Sequence, residues 1–173
     1  MHINQPSAQL DHMLRQTRMN LVAFSQMADT KAQIILSLAS VLLSLSLTRI
    51  TDVRFTLSLA GLDLFLLVTI FFALLTVLGK IQVFNRKKHS VHDPGYSPLF
   101  FGNYGDIPYE EYARDFEVIM NDPDATYEIM VKDIYYAGTY LLQVKYKYIR
   151  IAYLYFFTGL IVSTLIYFIQ HVL

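Results

Sequence analysis

The sequence predicts an all-α fold: a multi-pass membrane helical bundle with three transmembrane helices, whose long helices extend into a cytoplasmic helical domain. Three observations predict it. Apolar residues make up 54% of the 173 residues and charged residues 16%, against roughly 25% charge in soluble domains. The apolar residues cluster into three stretches of bilayer length. Two helical seams run up to or through these stretches without a Pro.

A bilayer core about 30 Å thick needs about 20 helical residues. The organisation read from this rule is a cytoplasmic N-terminal helix over 1–31, spans over 32–50, 55–79 and 151–170, and a cytoplasmic helical region over 80–150. Between Lys31 and Arg49 the first span carries no charge, and both ends can snorkel to the interface. Its thirty preceding residues include Asp11 and Asp29, which argues against a signal peptide. The second span contains a single charge, Asp63, and the third contains none. Lys and Arg gather before span one, after span two and before span three. The positive-inside rule therefore places the N-terminus and the 80–150 segment in the cytoplasm and the C-terminus on the far side of the membrane.

Residues 8–31 place Leu10, Leu14, Thr17, Leu21, Phe24 and Ala28 at alternating steps of four and three. With no Gly or Pro from Ser7 to the end of span one, they predict one helix of about forty residues, roughly 60 Å long. Tyr109 to Met120 reads as a short amphipathic helix after Pro108, and residues 89–107 as a loop anchored by Pro98 to Phe101. A second seam, Tyr127, Met130, Ile134, Ala137, Leu141, Val144, Tyr148 and Ile151, enters span three, with Asp124 as its expected N-cap. Either seam serves packing within the chain or self-association into a homo-oligomer.

Candidate functional residues follow from chemistry. Asp63 is costly in lipid unless paired, protonated or wetted, and is expected to face protein. Thr30, Gln33, Ser37, Ser40, Ser44 and Thr48 form one polar face of span one, suited to close helix approach or to lining a pore. His89, His92 and Asp93 are a weak metal pattern, so no metal or cofactor is expected. The absence of Cys excludes a disulfide framework and a thiol nucleophile. No nucleophile elbow, P-loop or zinc-protease motif is present, so an enzyme is not expected. Fourteen basic and fourteen acidic residues cancel, and nothing points to nucleic acid.

Four motifs carry a resemblance. Asp29-Thr30-Lys31-Ala32 at the mouth of span one, Ser97-Pro98-Leu99-Phe100-Phe101-Gly102, Tyr109-Glu110-Glu111-Tyr112, and Lys145-Tyr146 with Arg150 occur in order over roughly residues 20–170. The set resembles the Pycsar effector transmembrane family, with Ser97 standing where that family's pattern has Asn. The resemblance implies a bacterial inner-membrane protein of antiphage defence. It would be activated by cyclic UMP or cyclic CMP from a partner pyrimidine cyclase and would impair the membrane. For such a ligand, a planar monoanion, Arg86 or Lys145 is the candidate phosphate cation, Tyr136 the stacking ring and Asn103 the base-edge group.

Overall fold

The computed structural model describes residues 7–49, 56–78, 97–105 and 107–172, and every regular element among them is helical. Helix α1 covers Ala8–Leu47 and α2 covers Thr56–Leu78. A single turn, α3, spans Phe101–Tyr104, and α4 spans Tyr109–Met120. Helix α5, Pro123–Tyr140, passes through a π-helical segment, Leu141–Tyr146, into α6, Lys147–Val172. Three helical stretches are long and apolar enough to cross a membrane: α1, Leu57–Leu78 within α2, and Pro123–Gln170.

Local chemistry sets the ends. At the start of α1 the Leu10 N–H donates to Ser7 Oγ at 3.4 Å. At its end Arg49 N–H turns back to the Ser46 carbonyl at 2.9 Å. The cap of α5 is Asp122, not Asp124: Asp122 Oδ1 accepts the N–H groups of Asp124 at 3.0 Å and Ala125 at 3.4 Å. Pro123 takes the first helical position, where its missing N–H costs nothing, so the cap falls before it. Within the segment read as loop, α3 adds one helical turn.

The chain forms two compact units. One comprises Met1–Ala23 with Ile81–Tyr140, the other Phe24–Lys80 with Leu141–Leu173. In the first, Leu14 and Tyr127 are buried, and the Tyr127 hydroxyl donates to Asp11 Oδ1 at 2.6 Å. Rings of Tyr104, Tyr112 and Phe116 pack in sequence, with centroids 5.0 and 5.2 Å apart.

The second unit is a three-helix core of Ala32, Ile35 and Ala39 from α1, Leu66 and Ala73 from α2, and Ile149, Ala152 and Phe156 from α6. Small residues at these positions let the backbones approach, which is how apolar helices gain packing energy in lipid. Phe72 stacks on Tyr155 at 6.1 Å, and Gly159 lies where a Cβ would fall 2.5 Å from Phe65 Cβ. The buried Thr69 and Thr76 hydroxyls donate to their own helix, at Phe65 and Phe72 carbonyls. Ser163 Oγ donates across to the Ser58 carbonyl at 3.0 Å.

Both seams differ from the simple heptad in a consistent way. In α1, Thr17 is exposed and returns its hydroxyl to the Met13 carbonyl, and Phe24 is 48% exposed. The positions one residue later, Arg18 and Ser25, make the polar contacts with other helices. In the other seam Tyr127 and Leu141 are buried, but beyond Leu141 the buried residues are Lys145, Ile149, Ala152 and Phe156 instead of Val144, Tyr148 and Ile151. The π segment is the reason: its i→i+5 bonding accommodates one extra residue and advances the buried face by one position.

Two outcomes follow. Gly159→Ala overpacks against Phe65 and should destabilise the detergent-solubilised protein by about 1–3 kcal/mol, lowering its thermal midpoint. Gly61→Ala, whose Cβ meets only Ile166 Cδ1 at 3.7 Å, should leave the midpoint unchanged or raise it. The Asp11 carboxylate accepting the Tyr127 proton, together with burial, raises the phenol above its ordinary 10.0. A raised folded-state value means the stabilisation persists below the unfolded value and is lost as pH climbs through the folded one. Tyr127→Phe should therefore lower stability at neutral pH and remove this alkaline step in a pH series of unfolding midpoints.

Candidate functional site

The most constrained polar group of the second unit is Lys145, buried in the π segment with 8% of its surface exposed. Ser25 and Asp29 are four residues apart on α1, so they share one face. The Lys145 ammonium donates to Ser25 Oγ at 2.8 Å and to Asp29 Oδ1 and Oδ2 at 2.8 and 2.7 Å. Its three donors thus all meet α1. Flanking contacts extend the junction: the hydroxyls of Tyr146 and Tyr153 lie 3.4 Å from the Phe24 and Lys31 carbonyls, which accept from them. An ion pair of this burial contributes little net stability. Deleting one partner is costly because the other charge is stranded.

A second polar cluster lies in the first unit around Asp133, also 8% exposed. Ser97 Oγ donates to Asp133 Oδ1 at 3.1 Å, and the half-exposed Arg18 guanidinium lies 3.5 Å from Oδ2. Ser97 organises the turn that follows it. Its Oγ accepts the Leu99 N–H at 3.3 Å, and its carbonyl accepts the Asn103 amide at 3.2 Å. The Tyr112 hydroxyl donates to the Pro98 carbonyl at 3.1 Å. The segment from Ser97 to Gly102 and the helix beginning at Tyr109 are therefore tied together by side chains of their own motifs.

The residues nominated for a cyclic nucleotide are distributed as follows. Arg86 lies outside the described residues, as do His89, His92 and Asp93. Asn103 has its amide on the Ser97 carbonyl. Tyr136 is 41% exposed, with its ring edge against Tyr135 at 5.6 Å. Both belong to the first unit, whereas Lys145 belongs to the second and has every ammonium donor engaged. A phosphate at Lys145 would have to displace Asp29. Within the first unit Asn103 and Tyr136 are held by different neighbours, Ser97 and Tyr135.

The polar residues of the spans also separate. Ser37, Ser40 and Ser44 are exposed, together with Thr30 and Gln33, while Ala32, Ile35 and Ala39 occupy the packed side of α1. Asp63 is buried on α2, and neither carboxylate oxygen has a hydrogen-bond partner among the described residues. The structure does not bring Asp63 and the serine face together.

Ser25, Arg18 and Asp133 escaped the sequence reading because each is a polar residue on or beside an apolar seam. The available signal was the four-residue spacing of Ser25 and Asp29, in register with Ala28 and Ala32. Lys145→Met should strand the Asp29 carboxylate and cost about 2–4 kcal/mol. The double variant Lys145→Met/Asp29→Leu should recover part of that loss in thermal or chemical unfolding. A double variant weaker than the sum of the single ones would contradict the pairing.

No curated protein and no solved structure matches the chain. The Pycsar effector protein domain matches residues 12–170, which include the Asp29–Lys145 pair, the Asp133 cluster, the second and third long apolar stretches and all but the first four residues of the first. By this match over nearly its whole length, the chain belongs to the Pycsar effector protein family.

Proposed function

We propose that this protein is the membrane effector of a bacterial antiphage defence system. In this reading a partner pyrimidine cyclase makes cyclic UMP or cyclic CMP on infection. The nucleotide activates the effector in the inner membrane, and loss of membrane integrity stops growth of the infected cell. The observation that carries the reading is the family match over residues 12–170 on a chain with three stretches able to span a bilayer. The N-terminus is cytoplasmic and the C-terminus periplasmic, as the Lys and Arg distribution supports. The nucleotide site draws on Tyr136, Asn103 and Arg86. Lys145 acts as a structural cation instead.

Self-association belongs to this reading. A polar face containing Ser37, Ser40 and Ser44 on the outside of α1 is poorly matched to lipid, and hydroxyls can both donate and accept across a helix pair. Ligand control needs the nucleotide to bind the leaking state more tightly than the closed one. A hundredfold difference, about 2.7 kcal/mol, changes the ratio of states by the same factor.

The test is dye release from liposomes carrying the full chain. Cyclic UMP or cyclic CMP should trigger release, with cyclic AMP inactive, and calorimetry should register binding of the same nucleotide. Release without nucleotide would identify a constitutive ion pore. Liposomes that stay tight throughout would identify a membrane scaffold, and either result would overturn the proposal.

A further inference from the structure

Among the described residues of the second unit, three exposed cations stand toward one end: Lys31 on α1, and Lys147 and Arg150 at the start of α6. Hydrogen bonds fix their level. The Phe24 and Lys31 carbonyls accept from Tyr146 and Tyr153, and Asp29 holds Lys145, so α1 and α6 advance side by side in the same direction. Lys31 is therefore level with Tyr153. Lys147, Arg150 and Tyr153 follow one another at steps of three on α6, with a total rise of about 9 Å.

These cations have no counter-ion in their own unit. No side-chain hydrogen bond or ion pair engages any of the three among the described residues. Of the unit's acids, Asp29 is taken by Lys145, Asp63 is buried on α2, and Asp52 follows the opposite end of α1 in sequence. Beyond the cations the surface turns apolar on both helices. Leu154, Phe157 and Ile161 follow Arg150 at steps of four, three and four, and all are exposed; Ile34 and Leu38 follow Lys31 and are exposed too. The Tyr153 ring stacks on Phe157 at 6.3 Å, at the boundary between the charged and the apolar parts.

We infer that Lys31, Lys147 and Arg150 bind the headgroup of an anionic phospholipid, whose acyl chains lie along the exposed apolar residues of α1 and α6. A headgroup layer is about 5–7 Å deep, within reach of long basic side chains spread over two turns. Charge selects the occupant. Three uncompensated cations attract a net-negative headgroup, whereas a zwitterionic one brings an ammonium that they repel. The apolar stripes favour a lipid over a soluble anion, which would use the cations alone. The inference rests on the helices crossing a bilayer and requires no nucleotide.

The experiment is thermal unfolding of the delipidated full chain in a neutral detergent. It is titrated with phosphatidylglycerol, with phosphatidylcholine of the same acyl chains, or with glycerol 3-phosphate. The midpoint should rise saturably with phosphatidylglycerol. Lys147→Gln/Arg150→Gln should raise the half-saturating lipid concentration about 25-fold and Lys31→Gln about fivefold. Arg49→Gln, at the other end of α1, should leave it unchanged. Each variant is compared through its own lipid-dependent shift, so a change in basal stability does not enter. Equal responses to the two lipids overturn the site, as does a phosphatidylglycerol response unchanged in Lys147→Gln/Arg150→Gln or weakened equally by Arg49→Gln. Glycerol 3-phosphate acting as well as the lipid overturns the choice of a lipid. With nucleotide absent throughout, a negative result leaves the effector reading to its own liposome test.

Discussion

The Lys145 ammonium, held by Asp29 and Ser25, is the contact on which the arrangement of the long helices depends. A buried ammonium tolerates no alternative register, because any rotation that removes its three acceptors leaves a charge in a weakly polar environment. Apolar packing alone is far less selective. The core beside it is built of Ala, Ile, Leu and Phe, and sliding one such surface over another exchanges similar contacts. The polar contact therefore selects one register from several that packing alone would nearly tolerate. The π segment is the backbone adjustment that accompanies it: an unbroken α-helix continuing the seam through Leu141 would have turned Val144 inward.

The same principle explains what could be read in the amino-acid sequence. The long apolar stretches were legible because hydropathy and length are strong, local signals. Helix α4 was legible from Pro108 and the amphipathic run behind it. The α5 cap falls two residues before Asp124, because Asp124 lies within the helix that Pro123 opens while Asp122 stands before the proline. The seams were legible in period but not in phase. Hydrophobic spacing assigned Thr17 and Phe24 to the contact face, yet Arg18 and Ser25 make the cross-helix bonds, since their partners Asp133 and Lys145 are distant in sequence. A π segment has no compositional signature here, so the one-residue advance beyond Leu141 was invisible before the structure.

Family membership and geometry inform different parts of the functional reading. The four motifs that carried the resemblance prove to be structural partners. Asp29 meets Lys145, and the segment from Ser97 to Gly102 meets Tyr112. Ser97, the departure from the family's pattern, uses its hydroxyl both to receive the Leu99 N–H and to donate to Asp133, functions suited to a small polar side chain. These motifs thus describe how the protein is held together. The groups that would recognise a cyclic nucleotide are a separate matter, and Lys145 illustrates the difference: a basic residue near an aromatic cluster suggests a phosphate site until its partners are seen.

The chain contains no Cys, so single cysteines can be introduced without background labelling. A thiol-accessibility scan from position 141 through 150 in the full-length, detergent-solubilised protein tests the register most directly. The π-helical arrangement predicts labelling minima at 141, 145 and 149. Minima at 141, 144 and 148 would show an unbroken α-helix with Lys145 turned away from Asp29, and would contradict the account at its foundation.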